Sequence, residues 1–142
     1  MRSLLLFIAL LGVLTLSNSM VPSVSNAANA AKKERAVMKF SEPVQLMGAT
    51  LKGEYLFVHN DEAMARGEAC TYVYKGQAEN VNNLVISFHC MPVAAARAPF
   101  FRVRVSLNML GQYEISEFQF AGSPEVHLVP LHQHTAFVTL SN

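Results

Sequence analysis

Short runs of strand-forming residues recur along most of this chain, separated by residues that favour turns. The runs are rich in Val, Ile, Phe, Tyr and Thr, and Gly, Pro and Asn lie between them. Beyond the N-terminal segment, no window shows a long apolar period of about 3.6 residues, which argues against long amphipathic helices. The pattern predicts an all-β fold, a small antiparallel β-sandwich or partly open barrel of about seven to eight strands. The expected strands cover residues 37–41, 54–59, 70–75, 84–91, 100–107, 113–121, 125–129 and 136–140.

The first thirty residues have the layout of a secretory signal peptide. Arg2 gives a basic start, residues 4–16 form an uncharged apolar run, and small residues follow up to Ala30. The run is too short for a bilayer core, which needs about 20 residues, and Pro22 interrupts its extension. We expect cleavage after Ala27 or Ala30. This predicts a bacterial periplasmic or secreted protein with no stable membrane anchor after cleavage.

Removal of this leader would leave residues 31–142 as a single β-sandwich-like domain. The leader contains one basic residue and no acid, so the remaining chain has equal numbers of Lys plus Arg and of Asp plus Glu. A formal charge of zero predicts no general attraction to nucleic acid or to anionic membranes. The expected partner is an unknown envelope protein or a small ligand.

Two connections between the expected strands are long enough to hold a helical turn. In residues 60–68, Asn60 or Asp61 would cap such a turn and Gly67 would end it. In residues 93–99, a similar turn would stop at the proline. Neither connection contains a motif that assigns a function.

The two cysteines, Cys70 and Cys90, face each other if the hairpin between them pairs symmetrically about Asn80. This register also places Tyr72 opposite Phe88 and gives the hairpin one apolar face. Directly opposed residues have Cα atoms about 4.5–5.5 Å apart, a separation that a disulfide can bridge. Because exported proteins meet an oxidising environment, we predict a disulfide between these cysteines.

A second hairpin is expected between the strands on either side of Gly111. Pairing Val103 with Phe118 gives an apolar inner face, and the same register pairs Arg104 with Glu117 on a polar outer face. The outer pair is a solvated ion pair, worth about 0–1 kcal/mol, and needs no functional explanation.

Residues 40–57 contain Pro-Val, Gly-Ala-Thr-Leu and Gly-Glu-Tyr-Leu-Phe in this order, and His-Asn-Asp, Cys-Thr-Tyr-Val-Tyr and Phe-His-Cys follow. Together these motifs, spread over about residues 38–92, resemble an uncharacterised family of small secreted bacterial β-domain proteins. The resemblance implies a β-domain of the cell envelope. It supplies no catalytic residue, because the family has no known activity.

Histidines near the C-terminus are the main candidate metal ligands. His132 and His134 would share one face of a strand, where two imidazoles can bind Zn²⁺ or Cu²⁺, and His127 lies close in sequence. A structural site needs four ligands and the spacing shows no fourth, so surface histidines at a turn are the alternative interpretation. A site at the cysteines would recruit His89, together with His59 or Met64. However, His89 and the cysteine after it point to opposite faces of a regular strand.

Motifs for catalysis are missing from the sequence. The chain has one Asp, Asp61, and no Gly-x-Ser-x-Gly, His-Glu-x-x-His, Cys-x-x-Cys or phosphate-binding glycine loop. We therefore expect a non-catalytic β-domain without a cofactor, with a binding or structural role in the envelope. The alternative is a periplasmic metal-binding protein that uses the His-x-His pair, with Zn or Cu as its cofactor.

Overall fold

The computed structural model describes residues 32–130, which form a curled, mixed β-sheet of eight strands. The predicted all-β class is confirmed, and the architecture is a half-barrel rather than a pair of stacked sheets. The leader, the expected strand at 136–140 and the His-x-His pair lie outside the described residues. The strands are β1 (Lys33–Leu46), β2 (Ala49–Asn60), β3 (Thr71–Lys75), β4 (Leu84–Phe88), β5 (Met91–Ala94), β6 (Arg102–Leu107), β7 (Tyr113–Gln119) and β8 (Glu125–Leu128). A short helix, α1 (Asp61–Ala65), follows β2, and a 3₁₀ turn covers Val81–Asn83.

The order of the strands brings the two ends of the sheet together. Across the sheet the order is β4-β3-β2-β1-β7-β8-β5, and β6 pairs with β7. The pairs are antiparallel except where β1 meets β7 in parallel, at Gln45 and Glu114. The terminal strands β4 and β5 are joined by only two residues, His89 and Cys90. Cys90 therefore lies at a corner of the half-barrel, where the chain passes from β4, at one end of the strand order, to β5, at the other end.

The hairpin of β1 and β2 is the longest pairing in the described chain. It turns through Met47 and Gly48, both with positive φ (48° and 86°), as a two-residue turn between twisted strands requires. The ladder is interrupted between Phe40 and Val44, where Pro43 has no N–H to donate. The turn fixes the register of the pairs on either side of this interruption, Lys33–Phe40 and Val44–Leu46.

The aromatic core lies on the inner face of the half-barrel, and Phe57 is at its centre. β2 is buried on both sides over residues 55–59 because it lies between β1 and β3. The ring of Phe57 lies 5.4 Å from Phe101, 5.7 Å from Phe118 and 6.4 Å from Phe40, measured between centroids. Tilted contacts of this kind are favourable for aromatic pairs.

The predicted register of the β3–β4 hairpin is wrong by one residue. The 3₁₀ turn makes β4 begin to pair closer to β3 in sequence than predicted, so Tyr74 pairs with Leu84. An extra, unpaired residue in β4 then reduces the difference between the observed and the predicted register to one residue. Thr71 consequently pairs with Phe88, and the two cysteines do not face each other across the ladder. The buried face of β3 carries Thr71 and Val73 rather than the two tyrosines, which are half-buried.

The predicted register of the second hairpin is confirmed. Val103 pairs with Phe118 and Arg104 with Glu117. The outer pair makes an ion pair of 2.8 Å in which the arginine remains exposed. The alternation of apolar and polar residues along both strands made this register predictable from the sequence.

Of the two long connections, one matches its prediction and the other does not. Asn60 caps α1 by accepting hydrogen bonds from the backbone N–H groups of Glu62 and Ala63, as predicted. The helical turn predicted within residues 93–99 is wrong, because residues 91–94 form strand β5. The edge of β8 offers backbone partners to this segment, and Met91 to Ala94 pair with it residue by residue.

We expect truncation of the central core residue to lower stability strongly. Phe57→Ala removes a fully buried ring and should lower the free energy of unfolding by about 3–5 kcal/mol. The matched control is Phe100→Ala, at a ring that is 66% exposed, which should change stability by less than about 0.5 kcal/mol. Urea unfolding followed by circular dichroism measures both. Equal effects of the two substitutions would contradict the position of the core.

Candidate metal centre

Three buried side chains converge at the corner of the half-barrel. The Sγ atom of Cys90 lies 3.6 Å from Nδ1 of His59 and 3.4 Å from Nδ1 of His127. One ligand atom from each residue lies within 4.8 Å of the other two. All three side chains are buried, and the two imidazole rings are in contact, with centroids 4.3 Å apart.

Each of the three residues is placed there by a different part of the sheet. His59 continues the inward-facing series of Tyr55 and Phe57 near the end of β2. Cys90 lies in the two-residue link between β4 and β5. His127 lies on β8, opposite Phe118 of β7, and stacks on its ring at 5.1 Å and 18°.

A row of polar side chains crosses the sheet at the level of His59. Glu34 on β1 pairs directly with His59, which pairs in turn with Thr71 on β3. Cross-strand partners share one face of a sheet, and all three of these residues are buried. The register of two hairpins thus brings a carboxylate, an imidazole and a hydroxyl to the same end of the half-barrel.

Both imidazole rings have a carboxylate on the side away from the sulfur. Nε2 of His59 lies 2.9 Å from Oδ1 of Asp61, and Nε2 of His127 lies 3.7 Å from Oε2 of Glu34. The other oxygen of Asp61 accepts a hydrogen bond from the backbone N–H of Lys32, and the ammonium of Lys32 pairs with Glu34. If Nε2 of His59 carries the ring proton and donates a hydrogen bond to Asp61, the lone pair on Nδ1 of the same ring points to the sulfur of Cys90.

Two polar atoms of this cluster have no hydrogen-bond partner among the described residues. They are the Nε2 atom of His127 and the Oγ1 atom of Thr71, and both are fully buried. An unsatisfied buried donor or acceptor costs about 1–3 kcal/mol, so native proteins have few of them. Both atoms belong to the cluster, so this part of the core carries an energetic penalty.

Burial favours the neutral forms of two of the three groups. It raises the pKa of the Cys90 thiol to about 12. Burial, followed by the neighbouring His59, lowers the pKa of His127 to about 4. At neutral pH Cys90 is therefore a protonated thiol and His127 a neutral imidazole.

The two cysteines are adjacent but not bonded. Their Sγ atoms are 3.5 Å apart, and both are free thiols in this structure. A disulfide bond is about 2.05 Å long. The predicted proximity is thus present, whereas the predicted bond is not.

Of the predicted metal ligands, the described residues include only His127. His132 and His134 lie outside them, so their convergence with His127 stays a prediction. His127 is buried beside His59 and Cys90, with which the sequence analysis did not group it. His89 is exposed while Cys90 is buried, as the alternation of a strand predicts. The signal that could have found the cluster is a histidine at a core-facing position of a strand, as at His59.

Comparisons with protein families, with curated proteins and with solved structures give no match. The resemblance to small secreted bacterial β-domains therefore stays a prediction. Within residues 32–130, no helix has the length and hydrophobicity required to cross a membrane.

The lowered pKa of His127 predicts a loss of stability in mild acid. Its imidazole takes up a proton at about pH 6.5 in the unfolded chain but only near pH 4 in the folded one. The unfolded state therefore binds more protons between these values, and stability falls as pH falls through that window, by up to about 3 kcal/mol at and below pH 4. Urea unfolding of the metal-free protein at several pH values measures this loss.

The matched controls for this prediction are two His→Gln variants. His127→Gln should remove most of the pH-dependent loss, because no imidazole is left to titrate there. His89→Gln, at an exposed histidine, should leave the loss unchanged. A wild-type profile that is flat between pH 6.5 and 4 would contradict a buried, neutral His127.

Proposed function

We propose that this chain is a metal-binding protein that holds one copper ion between His59, Cys90 and His127. The observation that carries the proposal is the convergence of two imidazole Nδ1 atoms on one thiol sulfur inside the core. The proposal differs from the metal-binding alternative drawn from the sequence, which used His132 and His134 with His127 and stays a prediction. It uses a cluster formed by three separate elements.

The distances between the donor atoms suit a shared metal ion. Bonds of about 2.3 Å to sulfur and 2.0–2.1 Å to nitrogen place a sulfur and a nitrogen ligand about 3.5 Å apart at tetrahedral angles and about 3.8 Å apart at trigonal angles. The two sulfur–nitrogen distances here are 3.6 and 3.4 Å. An ion could therefore enter with small side-chain movements. The entropic cost of bringing the three donor atoms together is met when the chain folds, not when the ion binds.

The groups behind the ligands also support the proposal. Histidines that bind metals usually donate their second ring N–H to a carboxylate or carbonyl, which fixes the ring and raises its basicity. Asp61 lies in that position for His59, at 2.9 Å, whereas Glu34 lies behind His127 at 3.7 Å, beyond hydrogen-bond distance. His59 therefore has the supporting carboxylate of a metal-binding histidine.

The donor set favours copper over other common ions. Thiolate and imidazole ligands select soft or borderline metals and disfavour Mg²⁺ and Ca²⁺, which take oxygen ligands. Two histidines and one cysteine are the trigonal set of copper sites, whereas a closed zinc site has four ligands. Among the described residues, the mutually close set contains three ligands, and Cys70 is not one of them.

Burial argues for metal holding rather than metal catalysis. Catalytic sites keep a ligand position open to water or substrate. Here the two imidazoles are almost fully buried, and Cys90 is 6% exposed. If the predicted export is correct, the site would hold its ion in the cell envelope. The competing proposal, a partner-binding or structural β-domain with a polar core, predicts no metal affinity.

Copper titration tests the proposal. The protein should take one equivalent of Cu(I) from the bathocuproine disulfonate complex under anaerobic conditions and in competition with Zn²⁺. His59→Gln, His127→Gln and Cys90→Ser should each weaken binding by more than about 100-fold, because loss of a ligand exceeds the effect of losing its supporting partner. Asp61→Asn should weaken it by about 10–100-fold, because it removes the carboxylate behind His59.

The matched control for the ligand variants is His89→Gln, next to the proposed ligand Cys90 in sequence but exposed. It should bind copper like the wild type. If the wild-type protein binds Zn²⁺ more tightly than Cu(I), the ion of the proposed site is zinc rather than copper. Absence of binding for both ions would overturn it and favour the structural or partner-binding role.

The pH dependence of binding provides a second test. Because burial raises the pKa of Cys90 to about 12, a metal ion must displace the thiol proton at any pH used in practice. His127 adds no proton above its own pKa of about 4. The apparent affinity for copper should therefore rise about tenfold per pH unit between pH 7 and 9. Affinity that does not change with pH would contradict thiolate ligation by Cys90.

A further inference from the structure

Cys70 is a buried thiol in contact with the proposed site but outside its ligand set. Its Sγ atom lies 3.5 Å from Sγ of Cys90 and 3.9 Å from the carbonyl oxygen of Phe88. It is fully buried, and the three mutually close ligand atoms do not include it. The sulfur of Cys90 thus has two sets of neighbours, two imidazoles on one side and a second thiol on the other.

The backbone already holds the two cysteines at a separation from which they can bond. The N–H of Cys70 donates to the carbonyl of Phe88 at 3.2 Å, which ties the start of β3 to the end of β4. Closing the sulfurs to disulfide length requires about 1.5 Å of movement. Rotation of two side chains supplies such a movement without a change in strand pairing.

We propose that a disulfide between Cys70 and Cys90 is the metal-incompetent form of this protein, so that the oxidation state of the pair determines whether the site can load copper. The inference rests on the proposed function. The reason is that both uses need the same sulfur. A metal ion needs the thiolate of Cys90, and a sulfur already bonded in a disulfide has no thiolate to offer.

The chemistry of the switch is thiol–disulfide exchange with a low-molecular-mass disulfide such as oxidised glutathione. A thiolate of one cysteine attacks the oxidant, its sulfur–sulfur bond breaks, and one glutathione thiol leaves. The second cysteine then attacks the mixed disulfide and releases the other glutathione. The protein loses two hydrogen atoms, and the oxidant gains them as two thiols.

The burial of both cysteines determines when this exchange takes place. In the folded protein an oxidant of that size cannot reach Cys70, which has no exposed surface. The exchange therefore precedes the closing of the core. The two forms are set by whether the folding chain meets an oxidant before its core closes.

Refolding the full chain under two conditions tests this inference. Denatured, reduced protein is refolded either anaerobically with reductant, which is then removed, or with oxidised and reduced glutathione. Mass spectrometry identifies the disulfide form by its loss of two hydrogen atoms. Each form is titrated with Cu(I) from its bathocuproine disulfonate complex. The disulfide form should bind more than about 100-fold more weakly, and reduction should restore its affinity.

Two variants separate the switch from the site itself. Cys70→Ser, freed of any mixed disulfide, should bind copper after both refolding conditions, and Cys90→Ser should bind after neither. If the Cys70→Ser variant does not fold, re-reduction of the wild-type disulfide form provides the same comparison.

The outcomes distinguish this inference from the proposed function. Copper binding by the confirmed disulfide form, with the affinity of the dithiol form, would overturn the switch alone. Failure of the disulfide to form in the glutathione mixture would also overturn the switch alone. Failure of the reduced wild type to bind copper would overturn the proposed function beneath it.

Discussion

The candidate site depends on the register that aligns Glu34, His59 and Thr71 across three neighbouring strands. Their alignment follows from the turn at Met47 and Gly48, which fixes β1 against β2, and from the register of the β2–β3 hairpin, whose connection contains α1. A slip by one residue in either hairpin would exchange the inner and outer faces and remove a polar group from the site. The chemistry of the centre is thus decided by backbone pairing before any side chain makes contact.

The corner at Cys90 has a second effect, because it lies between the two ends of the strand order. A shared ion would link β2 to β8, which no backbone ladder joins directly, through the corner between β4 and β5. Ligand binding that is selective for the folded state stabilises it in proportion to the logarithm of ligand concentration. Binding of an ion at the proposed site would therefore add stability that the cluster, with its unpartnered groups on Thr71 and His127, lacks on its own.

Much of the fold was predictable, because the alternation of apolar and polar residues along a strand is a local signal in the sequence. The β6–β7 register and the capping of α1 by Asn60 follow from residues near one another in sequence. β5 was missed since Met91–Ala94 is a strand only through the edge of β8, which the local sequence does not show. The predicted register of the cysteine hairpin failed at a 3₁₀ turn that the symmetry argument did not include.

The site was predictable only in part, because its ligands are distant in sequence. His127 was singled out for its neighbours in the chain, yet its partners in space come from β2 and from the β4–β5 corner. Cys70 and Cys90 were paired correctly as neighbours but for the wrong register. A histidine in an otherwise apolar strand face, as at His59, was the available signal, and only the topology shows what it faces.

Because the three proposed ligands are far apart in the sequence, the site that they form can be completed only late in folding. Cys90 follows His59 by 31 residues, and His127 follows Cys90 by 37. No hairpin and no early folding intermediate built from neighbouring strands can contain all three ligands, because β8 must already be docked on β7 and β5. A metal ion held by all three would therefore mark chains whose folding is complete, and partly folded copies would be left without it.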